Sequence, residues 1–450
     1  MLPANWCVVR WLGDGNRRHA FALGLMLVAC AANEGKSGGV GGGANPTASE
    51  GAAASGGLGG RQGPSTGGEA PSVGGAGAGG SGGGVSLAGA AGAQAGSGTG
   101  GSDGGAMGTA GSGGVESCDG PVGTISGALA TGVAFKDTLG EPVNAHGGGI
   151  IRVGDTFYLH GERFLSTTTD NLFYGFSMYS SLDLATWKNE GIVLPQQSAG
   201  ELGPNRHGER PHIIRCPSTG EFVLYAHAAS SDYQTDKEVV YATSATVNGQ
   251  YAYKGPLKNA SGALIVHSDM SAYADDTGAY VLAESGHLFT LASDCHSWLS
   301  DKSMPAVNGT SSGAESPTVF KAGGTYYWIG SNKTGWRANN NFYSTAPAIT
   351  GPWTYQGFIA PVADMADILS AERTWLSQST WVQPVTGCTG TVYLYWGDHW
   401  DGTQDTTAPG KHNDRATYVF QPLILGATKQ LLPTYKTTWK LDVGAGTWSE

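Results

Sequence analysis

The feature that most constrains the fold is a short segment that recurs five times after residue 120: a glycine followed at once by aromatic and β-branched residues. Glycine tolerates the positive φ that tight hairpins require, and the residues behind it fit a pleated strand. Each segment therefore predicts a hairpin turn that leads into a strand. The five glycines are Gly154, Gly220, Gly278, Gly324 and Gly390.

The spacing of these glycines leaves room for about four short strands per repeat, and no helical periodicity interrupts them. A β-sandwich does not repeat at this period, and the repeats of a β-helix are far shorter. The pattern predicts an all-β fold, a five-bladed β-propeller over residues 118–450. The stretch from Ala416 to Pro422 and the later Trp439 and Trp448 are expected to complete its fifth blade.

The chain before residue 118 has a different composition. From Ala31 to Ser117 it contains no Phe, Tyr or Trp and consists mainly of Gly, Ala and Ser. Such a segment has too little apolar surface to offset the roughly 1–2 kcal/mol per residue that ordering a backbone costs. Residues 30–117 are therefore expected to form a disordered Gly/Ser/Ala-rich tether.

The first residues are typical of an export signal, in which positive charge precedes an apolar run that is too short to span a bilayer. The run ends in Leu27-Val28-Ala29-Cys30, which resembles the lipobox of bacterial lipoproteins. Residues 1–29 are thus predicted to be a lipoprotein signal peptide and Cys30 the lipidated residue. This predicts an exported lipoprotein of the bacterial cell envelope, at the outer membrane or cell surface, whose lipid anchor binds the membrane. The alternative is an ordinary secretory signal and a secreted protein.

The remaining cysteines and the charge exclude several classes of protein. An even number of cysteines in an exported chain predicts disulfides with three possible connectivities, buried thiols being the alternative. The cysteines are Cys118, Cys216, Cys295 and Cys388.

No zinc-site spacing or nucleotide-binding loop occurs in the sequence, so no metal or cofactor is predicted. A formal net charge of −11 without a dense basic patch argues against nucleic-acid binding. We expect the protein to be a monomer.

A polar side chain stands roughly ten residues before each hairpin glycine, in the strand that would line the central channel of a propeller. These five side chains should therefore converge, although any one alone could be a solvated acid or a turn cap. Burying several like charges is costly for stability, whereas paired carboxylates near aromatic rings suit the hydrolysis of a glycosidic bond. The five are His146, Glu209, Asp269, Glu315 and Gln378.

Motifs around these positions are spread over all five predicted blades. They are Ala145-His-Gly-Gly-Gly-Ile150, Phe157-Tyr-Leu-His-Gly-Glu162, Glu209-Arg-Pro-His, Ser268-Asp269-Met-Ser, Asp275-Asp-Thr-Gly278, Glu315-Ser-Pro-Thr, Thr334-Gly-Trp-Arg-Ala-Asn339, Ser377-Gln378-Ser-Thr380 and Tyr395-Trp-Gly-Asp398. On these motifs the domain resembles glycoside hydrolase family 43, and within it the exo-β-1,3-galactanase-like branch.

The resemblance implies roles for the matching positions. Glu315 matches the general acid of the family, although Glu-Ala-Pro or Glu-Gly-Pro is usual there, and Asp269 matches the carboxylate that orients the acid and tunes its pKa. Most members place an aspartate base on the first blade, where this chain reads Ala145-His146-Gly147. The galactanase-like branch shares that absence and uses the glutamine matching Gln378, with the glutamate matching Glu209 close to the sugar. A neutral amide is a poor base unless tautomerised, so the water activator stays open between Gln378, Glu209 and another group.

The resemblance also implies an inverting exo-hydrolase that releases galactose from a plant-type or microbial β-1,3-galactan, such as the backbone of arabinogalactan. A channel closed at one end admits only a chain terminus, which fits exo action. The alternatives are an α-L-arabinofuranosidase or β-xylosidase of the same family, and a carbohydrate-binding propeller without catalysis. Candidate sugar-contacting residues, each of which could instead be a loop polar residue or part of the core, are Glu162, His146, Tyr233, Thr334, Trp336, Asn339 and Trp375.

Overall fold

The structure is a computed structural model that describes residues 118–126, 135–165, 171–309, 314–336, 339–360, 374–400, 413–432 and 435–450. These residues belong to one compact unit, Ala106–Glu450. The predicted signal peptide, the lipidated Cys30 and the tether lie outside the described residues. No helix in the described part of the chain is long and apolar enough to cross a membrane.

Strands make up the described domain, together with three short 3-10 turns at Glu284–Gly286, Pro305–Asn308 and Asn413–Arg415. The strands are β1 (Val122–Ser126), β2 (His146–Val153), β3 (Thr156–Glu162), β4 (Gly175–Ser181), β5 (Lys188–Pro195), β6 (Arg206–Arg215), β7 (Phe222–Ser230), β8 (Lys237–Ser244), β9 (Ala252–Pro256), β10 (Met270–Asp275), β11 (Gly278–Ala283), β12 (His287–Leu291), β13 (Trp298–Ser303), β14 (Ala314–Ala322), β15 (Thr325–Asn332), β16 (Asn341–Ala346), β17 (Thr354–Phe358), β18 (Gln378–Thr386), β19 (Thr391–His399), β20 (Thr417–Leu425), β21 (Leu431–Leu432), β22 (Thr438–Asp442) and β23 (Thr447–Ser449).

Strands β2 to β21 form five four-stranded sheets, each built from four consecutive strands in chain order. We number these sheets first to fifth, beginning with β2–β5. All pairings within them are antiparallel. Four of the predicted hairpin glycines lie between the first and second strands of their sheets, Gly278 is the first residue of β11, and Gly220 takes the positive φ of +74° that its turn requires. The fivefold hairpin prediction is confirmed.

The first strands of the five sheets contact one another in a closed cycle. β2 contacts β6, β6 contacts β10, β10 contacts β14, β14 contacts β18, and β18 contacts β2. The first strand of each sheet is therefore innermost, as in a β-propeller. The apolar core lies between neighbouring sheets, where large buried rings such as Trp328 and Trp353 pack edge to face at 5.7 Å.

The chain ends form a separate three-stranded sheet, in which β22 lies between β1 and β23. The expectation that the C-terminal tryptophans complete the fifth blade is therefore wrong: β20 and β21 complete that sheet, whereas Trp439 lies opposite Ile125 of β1. Pairing with β1 satisfies the backbone groups of β22 and buries Trp439 completely.

Two disulfides settle the connectivity that the sequence leaves open. Cys118 pairs with Cys388, which ties the segment before β1 to the β18–β19 hairpin. Cys216 pairs with Cys295 and links the second sheet to the third.

Candidate active site

A β-bulge places the polar residues at the start of the innermost strands. One extra residue follows His146 in β2, Glu209 in β6 and Glu315 in β14, and another interrupts β18 just after Gln378. In the first three strands the next residue takes a left-handed φ, which is +53° at Arg210. A bulge bends its strand and redirects the adjacent side chains. The same local distortion therefore recurs around the central axis.

These strand ends surround a cavity of about 260 Å³. Seven of the sequence-predicted site residues line it, together with four residues for which the sequence analysis assigned no role. The predicted ones are Glu162, Glu209, Tyr233, Asp269, Glu315, Trp336 and Gln378. The others are Arg210, Ser268, Gly335 and Trp400.

Glu315 is the carboxyl group of this cavity best suited to donate a proton. Burial, and next the negative charge of Asp269, raise its pKa to about 8, against an opposing effect of Arg210. Its Oε1 accepts hydrogen bonds from Gln378 Nε2 at 2.9 Å and from the Thr334 backbone N–H at 3.3 Å. With Oε1 accepting from both, a proton on Oε2 is compatible with these contacts. Glu315 is therefore protonated at neutral pH, as a general acid must be.

Asp269 lies beside Glu315 and is held from two sides. Its Oδ2 accepts the backbone N–H of Ser316 at 2.8 Å and lies 3.0 Å from Arg210 Nη2. The first contact fixes Asp269 against the strand that carries Glu315, and the second fixes it to the cation at the centre of the cavity. This geometry agrees with a carboxylate that orients the acid.

Arg210 links most of the site. Its Nη2 donates to Gln378 Oε1 at 2.6 Å, its Nη1 donates to Ser316 Oγ at 3.1 Å, and its backbone N–H donates to Glu162 Oε1 at 2.7 Å. Burial opposes its charge, but the surrounding carboxylates, Asp269 first, raise its pKa above the usual value. Arg210 is thus a permanent buried cation that compensates several carboxylates at once.

Gln378 has every hydrogen-bonding position of its amide engaged. Oε1 accepts from Arg210 and from Trp400 Nε1, the latter at 2.8 Å, and Nε2 donates to Glu315 and to Ser331 Oγ at 3.1 Å. Arginine and tryptophan side chains can only donate. Their contacts require an acceptor at Oε1, which the carbonyl oxygen of the amide form provides, while Nε2 holds Glu315 in place.

Glu209 lies in the same cavity but is ionised. Burial alone would raise its pKa, yet the hydrogen bond and the charge of the neighbouring His227, the nearby His207 and the hydroxyl of Tyr233 lower it below the usual value. His227 Nδ1 is 3.3 Å from Oε2, and the Tyr233 hydroxyl donates to Oε1 at 2.6 Å. The Tyr233 ring is itself stacked on His207 at 3.8 Å. Glu209 is therefore a fixed carboxylate.

Glu162 presents an unpaired oxygen to the site. Its Oε1 accepts the Arg210 N–H, whereas Oε2 is buried without a hydrogen-bond partner. Burial, and then the charge of Glu209, raise its pKa well above the usual value. A buried polar atom without a partner costs about 1–3 kcal/mol, so Glu162 Oε2 is ready to bond a hydroxyl group that enters the cavity.

Aromatic rings form one wall of the cavity. Trp336 packs edge to face on Trp400 at 4.8 Å, and Phe164 contacts both rings at 6.2 and 6.3 Å. Trp336 is partly exposed and Trp400 is fully buried. Such a wall offers an apolar surface to the C–H face of a sugar.

Two predicted sugar-contacting residues lie elsewhere. His146 is fully buried, stacks on Tyr418 at 4.8 Å and bonds Asp398 at 3.1 Å, so it supports the cavity from behind. Trp375 is fully buried in the apolar cluster between the fourth and fifth sheets, against Tyr395. Neither residue lines the cavity, because contacts between sheets take up these rings.

Thr334 and Asn339 are close to the site without lining the cavity. Asn339 Nδ2 donates to Thr334 Oγ1 at 2.7 Å, and Thr334 reaches Glu315 through its backbone N–H. Their position therefore indicates that they shape the segment beside the acid.

The sequence analysis left Arg210 and Trp400 out of the predicted site residues. Arg210 stands in the quoted Glu209-Arg-Pro motif, directly after a predicted carboxylate, so its position was a usable signal. Trp400 stands two residues after the quoted Tyr395-Trp-Gly-Asp398 motif, so its position was also a usable signal, although its hydrogen-bond partner Gln378 lies in β18. Among the described residues, no group of three or more His, Cys, Asp or Glu side chains has an arrangement that could hold a metal ion.

No protein-family model and no curated protein matches the chain. Solved structures do. The exo-β-1,3-galactanase of Phanerochaete chrysosporium, as a glutamate-to-glutamine variant with β-1,3-galactotriose, is 30% identical over 73% of this chain and 70% of its own, with a TM-score of 0.60. An exo-β-1,3-galactanase from Clostridium thermocellum is 29% identical over 73% and 68%, with a TM-score of 0.61. A family GH43 β-1,3-galactosidase is 27% identical over 71% and 64%, with a TM-score of 0.58.

A protonated and an ionised carboxyl group in one small cavity are what the cleavage of a glycosidic bond requires. The carboxyl groups of the cavity and the similarity to these enzymes identify the chain as a glycoside hydrolase. More narrowly, it belongs to glycoside hydrolase family 43, alongside the exo-β-1,3-galactanases.

Proposed function

We propose that the protein is an exo-acting hydrolase that releases galactose from β-1,3-galactan, with inversion at the anomeric carbon. One observation carries the proposal: the cavity holds Glu315, whose pKa is raised to about 8, together with the ionised Glu209. The galactanases and the galactosidase to which the chain is similar support galactan as the substrate.

Glu315 would deliver its proton to the oxygen that links the terminal galactose to the next residue. The C1–O bond then breaks as positive charge develops on the sugar ring, and the shortened chain leaves as an alcohol. Asp269 keeps Glu315 protonated and, bonded to Ser316, oriented. Glu162 and Tyr233 face the same sugar, where Glu162 Oε2 can bond a hydroxyl.

As this bond breaks, water must attack C1 from the opposite face and lose a proton. Of the two candidates, the contacts favour Glu209 as the acceptor, because its carboxylate is ionised while both acceptor positions of Gln378 Oε1 are engaged by Arg210 and Trp400. Galactose would leave as the α-anomer, after which Glu209 would release its proton to solvent and Glu315 would take one up from solvent.

Exo action is supported by the size of the cavity. Its volume of about 260 Å³ is below the roughly 300–1,000 Å³ typical of small-molecule pockets. Such a space suits a single terminal sugar rather than a run of residues. The five sheets would be the blades of one five-bladed propeller, supported by the closed cycle of first-strand contacts.

The lipid anchor at Cys30 and the tether over 30–117 belong to this proposal as the means of holding the hydrolase at the bacterial cell surface. Their support is the lipobox-like sequence and the absence of aromatic residues from 31 to 117. Metabolic labelling with a radioactive or clickable fatty acid tests it. Labelling of the wild-type chain but not of Cys30→Ser is expected, and equal labelling of both would overturn it.

The function is tested by incubating the full-length protein with linear β-1,3-galactan and following the products by ¹H NMR. Galactose should appear from the start as the α-anomer, without larger oligosaccharides. Oligosaccharide products would rule out exo action, and initial β-galactose would rule out inversion. Tight retention of galactan without any product would identify a carbohydrate-binding protein instead, and release of pentose from aryl pentosides would identify an arabinofuranosidase or xylosidase.

A further inference from the structure

Glu284 lies next to the cavity without lining it. It follows β11 directly, begins the first 3-10 turn and is 8% exposed. Its backbone N–H donates to the carbonyl oxygen of Asp269 at 2.8 Å. The mechanism proposed above gives this buried acid no role.

The side chain of Glu284 holds two segments that come from different sheets. Its Oε1 accepts the backbone N–H of Ser268 at 3.0 Å, and Oε2 accepts a hydrogen bond from Lys333 Nζ. Ser268 directly precedes Asp269 and the third sheet, whereas Lys333 directly follows β15 of the fourth sheet. One carboxylate therefore bridges these two sheets at the cavity.

Both bridged segments act on Glu315. Asp269 lies beside the acid and favours its protonated form, while Thr334, next to Lys333, donates its backbone N–H to Glu315 Oε1. The ammonium group of Lys333 has the opposite effect to that of Asp269, because a nearby cation favours the ionised form of a carboxyl group. The acid therefore depends on where Lys333 is held and on how its charge is balanced.

We propose that Glu284 is a positioning residue that holds Asp269 and Lys333 beside Glu315 and balances the charge of Lys333, so that this cation does not draw the proton from the acid. The catalytic part of this inference rests on the proposed function. Glu284 acts through other residues and does not touch the substrate.

The groups around Glu284 are consistent with a permanently ionised carboxylate. Burial opposes its charge, but His267, Lys333 and the Ser268 N–H lower its pKa well below the usual value. His267 Nδ1 is 3.8 Å from Oε1, and the His267 ring packs against His287 at 4.5 Å. His287 is paired with Asp301 at 3.0 Å. Glu284 therefore keeps its charge over the pH range in which Glu315 titrates.

The sign of the effect follows from these charges. In Glu284→Gln the Lys333 charge is no longer balanced, so Glu315 should lose its proton at lower pH by roughly 0.5–1 unit. In Lys333→Met the cation is gone, and the midpoint should rise by a similar amount. In the double variant Glu284→Gln/Lys333→Met the charge that Glu284 balances is absent, so the midpoint should return to the wild-type value or above it.

Two measurements on the full-length protein decide the matter. The first is the alkaline limb of kcat/KM for galactan, which reports the acid of the free enzyme. The second is the pH titration of the Glu315 carboxyl carbon by ¹³C NMR, with Glu315→Gln as the assignment control. The NMR titration needs no activity, so it judges this inference even if wild-type protein releases no galactose and the proposed function fails.

Glu190→Gln is the matched control, because Glu190 also bonds a lysine, Lys188 at 2.9 Å, but lies in β5 outside the cavity. It should leave the Glu315 midpoint unchanged. An unchanged midpoint in Glu284→Gln, or a lowered one that Lys333→Met does not reverse, overturns the proposal. If Glu284→Gln fails to fold, the Lys333→Met variant still decides, since Lys333 is 44% exposed, and a midpoint that does not rise contradicts the inference.

Discussion

The two sides of the cavity shift the pKa of a glutamate side chain in opposite directions. Glu315 and Glu209 both start from innermost strands and both precede a bulge, yet one keeps its proton and the other has lost it. Burial pushes both towards the protonated form. The difference comes from their neighbours: Asp269 stands beside Glu315, whereas His227, His207 and the Tyr233 hydroxyl surround Glu209.

The repeated backbone therefore sets where each carboxyl group lies, and the residues around it set its pKa. The residue opposite Glu209 across its hairpin is His227, and the residue opposite Glu315 is Ser331. The ring of His227 bonds Glu209 directly, whereas Ser331 bonds Gln378 and leaves burial and the Asp269 charge to raise the pKa of Glu315.

The largest expected effect is on the rate of hydrolysis, and its dependence on the leaving group of the substrate should distinguish Glu315 from Glu209. Glu315→Gln should lower kcat on galactan by about 10³–10⁴, within the range expected for a lost general acid. On an aryl β-galactoside with an acidic phenol the loss should be far smaller, since that leaving group needs no proton. Glu209→Gln should impair both substrates equally. Steady-state rates on the two substrates check this, and equal losses in Glu315→Gln would contradict the assignment of the acid.

The next effect concerns the water activator. Glu209→Ala should lose about 10²–10³ in rate, and added azide should restore turnover as α-galactosyl azide, because azide attacks without giving up a proton. Gln378→Ala removes the support of Glu315 and should show no azide product. Product analysis by NMR distinguishes them. Rescue of Gln378→Ala alone would make Gln378 the activator.

At pH 8 the variants Glu315→Gln and Glu209→Gln should change the free energy of unfolding in opposite directions. Folding raises the pKa of Glu315 from 4.5 to about 8, so the folded state keeps a proton that the unfolded chain releases. The free energy of unfolding therefore falls as pH rises between these two values. Glu315→Gln should therefore stabilise the fold by about 4 kcal/mol at pH 8 and little at pH 4. Glu209, whose pKa is lowered, stabilises above its unfolded value, so Glu209→Gln should destabilise at pH 8. Urea denaturation at both pH values measures this, and destabilisation by both variants at pH 8 would contradict it.

The smallest expected effect is a change in the pKa of Glu209 alone. Tyr233→Phe removes the 2.6 Å hydrogen bond to Glu209, so the pKa of that carboxylate should rise and the acidic limb of kcat/KM should move to higher pH by less than about one unit. The alkaline limb, set by Glu315, should stay in place. A shift confined to the alkaline limb would mean that the two sides are assigned the wrong way round.

Much of the fold was predictable because it depends on local signals. Hairpin glycines and alternating strands identify the sheets, and counting back from the glycines reaches Glu209, Asp269, Glu315 and Gln378 at the strand ends. Such features depend on turn geometry and strand period, which residues adjacent in the sequence determine.

Other features depend on which strands meet, and a single sequence does not contain that information. Trp375 and His146 carry the residue types of a sugar site but are buried by contacts between sheets. The pairing of β1 with β22 and the Cys118–Cys388 disulfide join residues from the two ends of the domain. The hydrogen bonds to Gln378 Oε1 likewise come from Arg210 of β6 and from Trp400, which follows β19.

The central claim is that Glu315 is protonated and Glu209 ionised in the same cavity at neutral pH. Its most direct test is a ¹³C NMR titration of the glutamate carboxyl carbons in the full-length protein, assigned with Glu315→Gln and Glu209→Gln. We predict a midpoint near pH 8 for Glu315 and one below the ordinary glutamate value for Glu209. Two midpoints that coincide near pH 4.5, the ordinary value, would contradict the account.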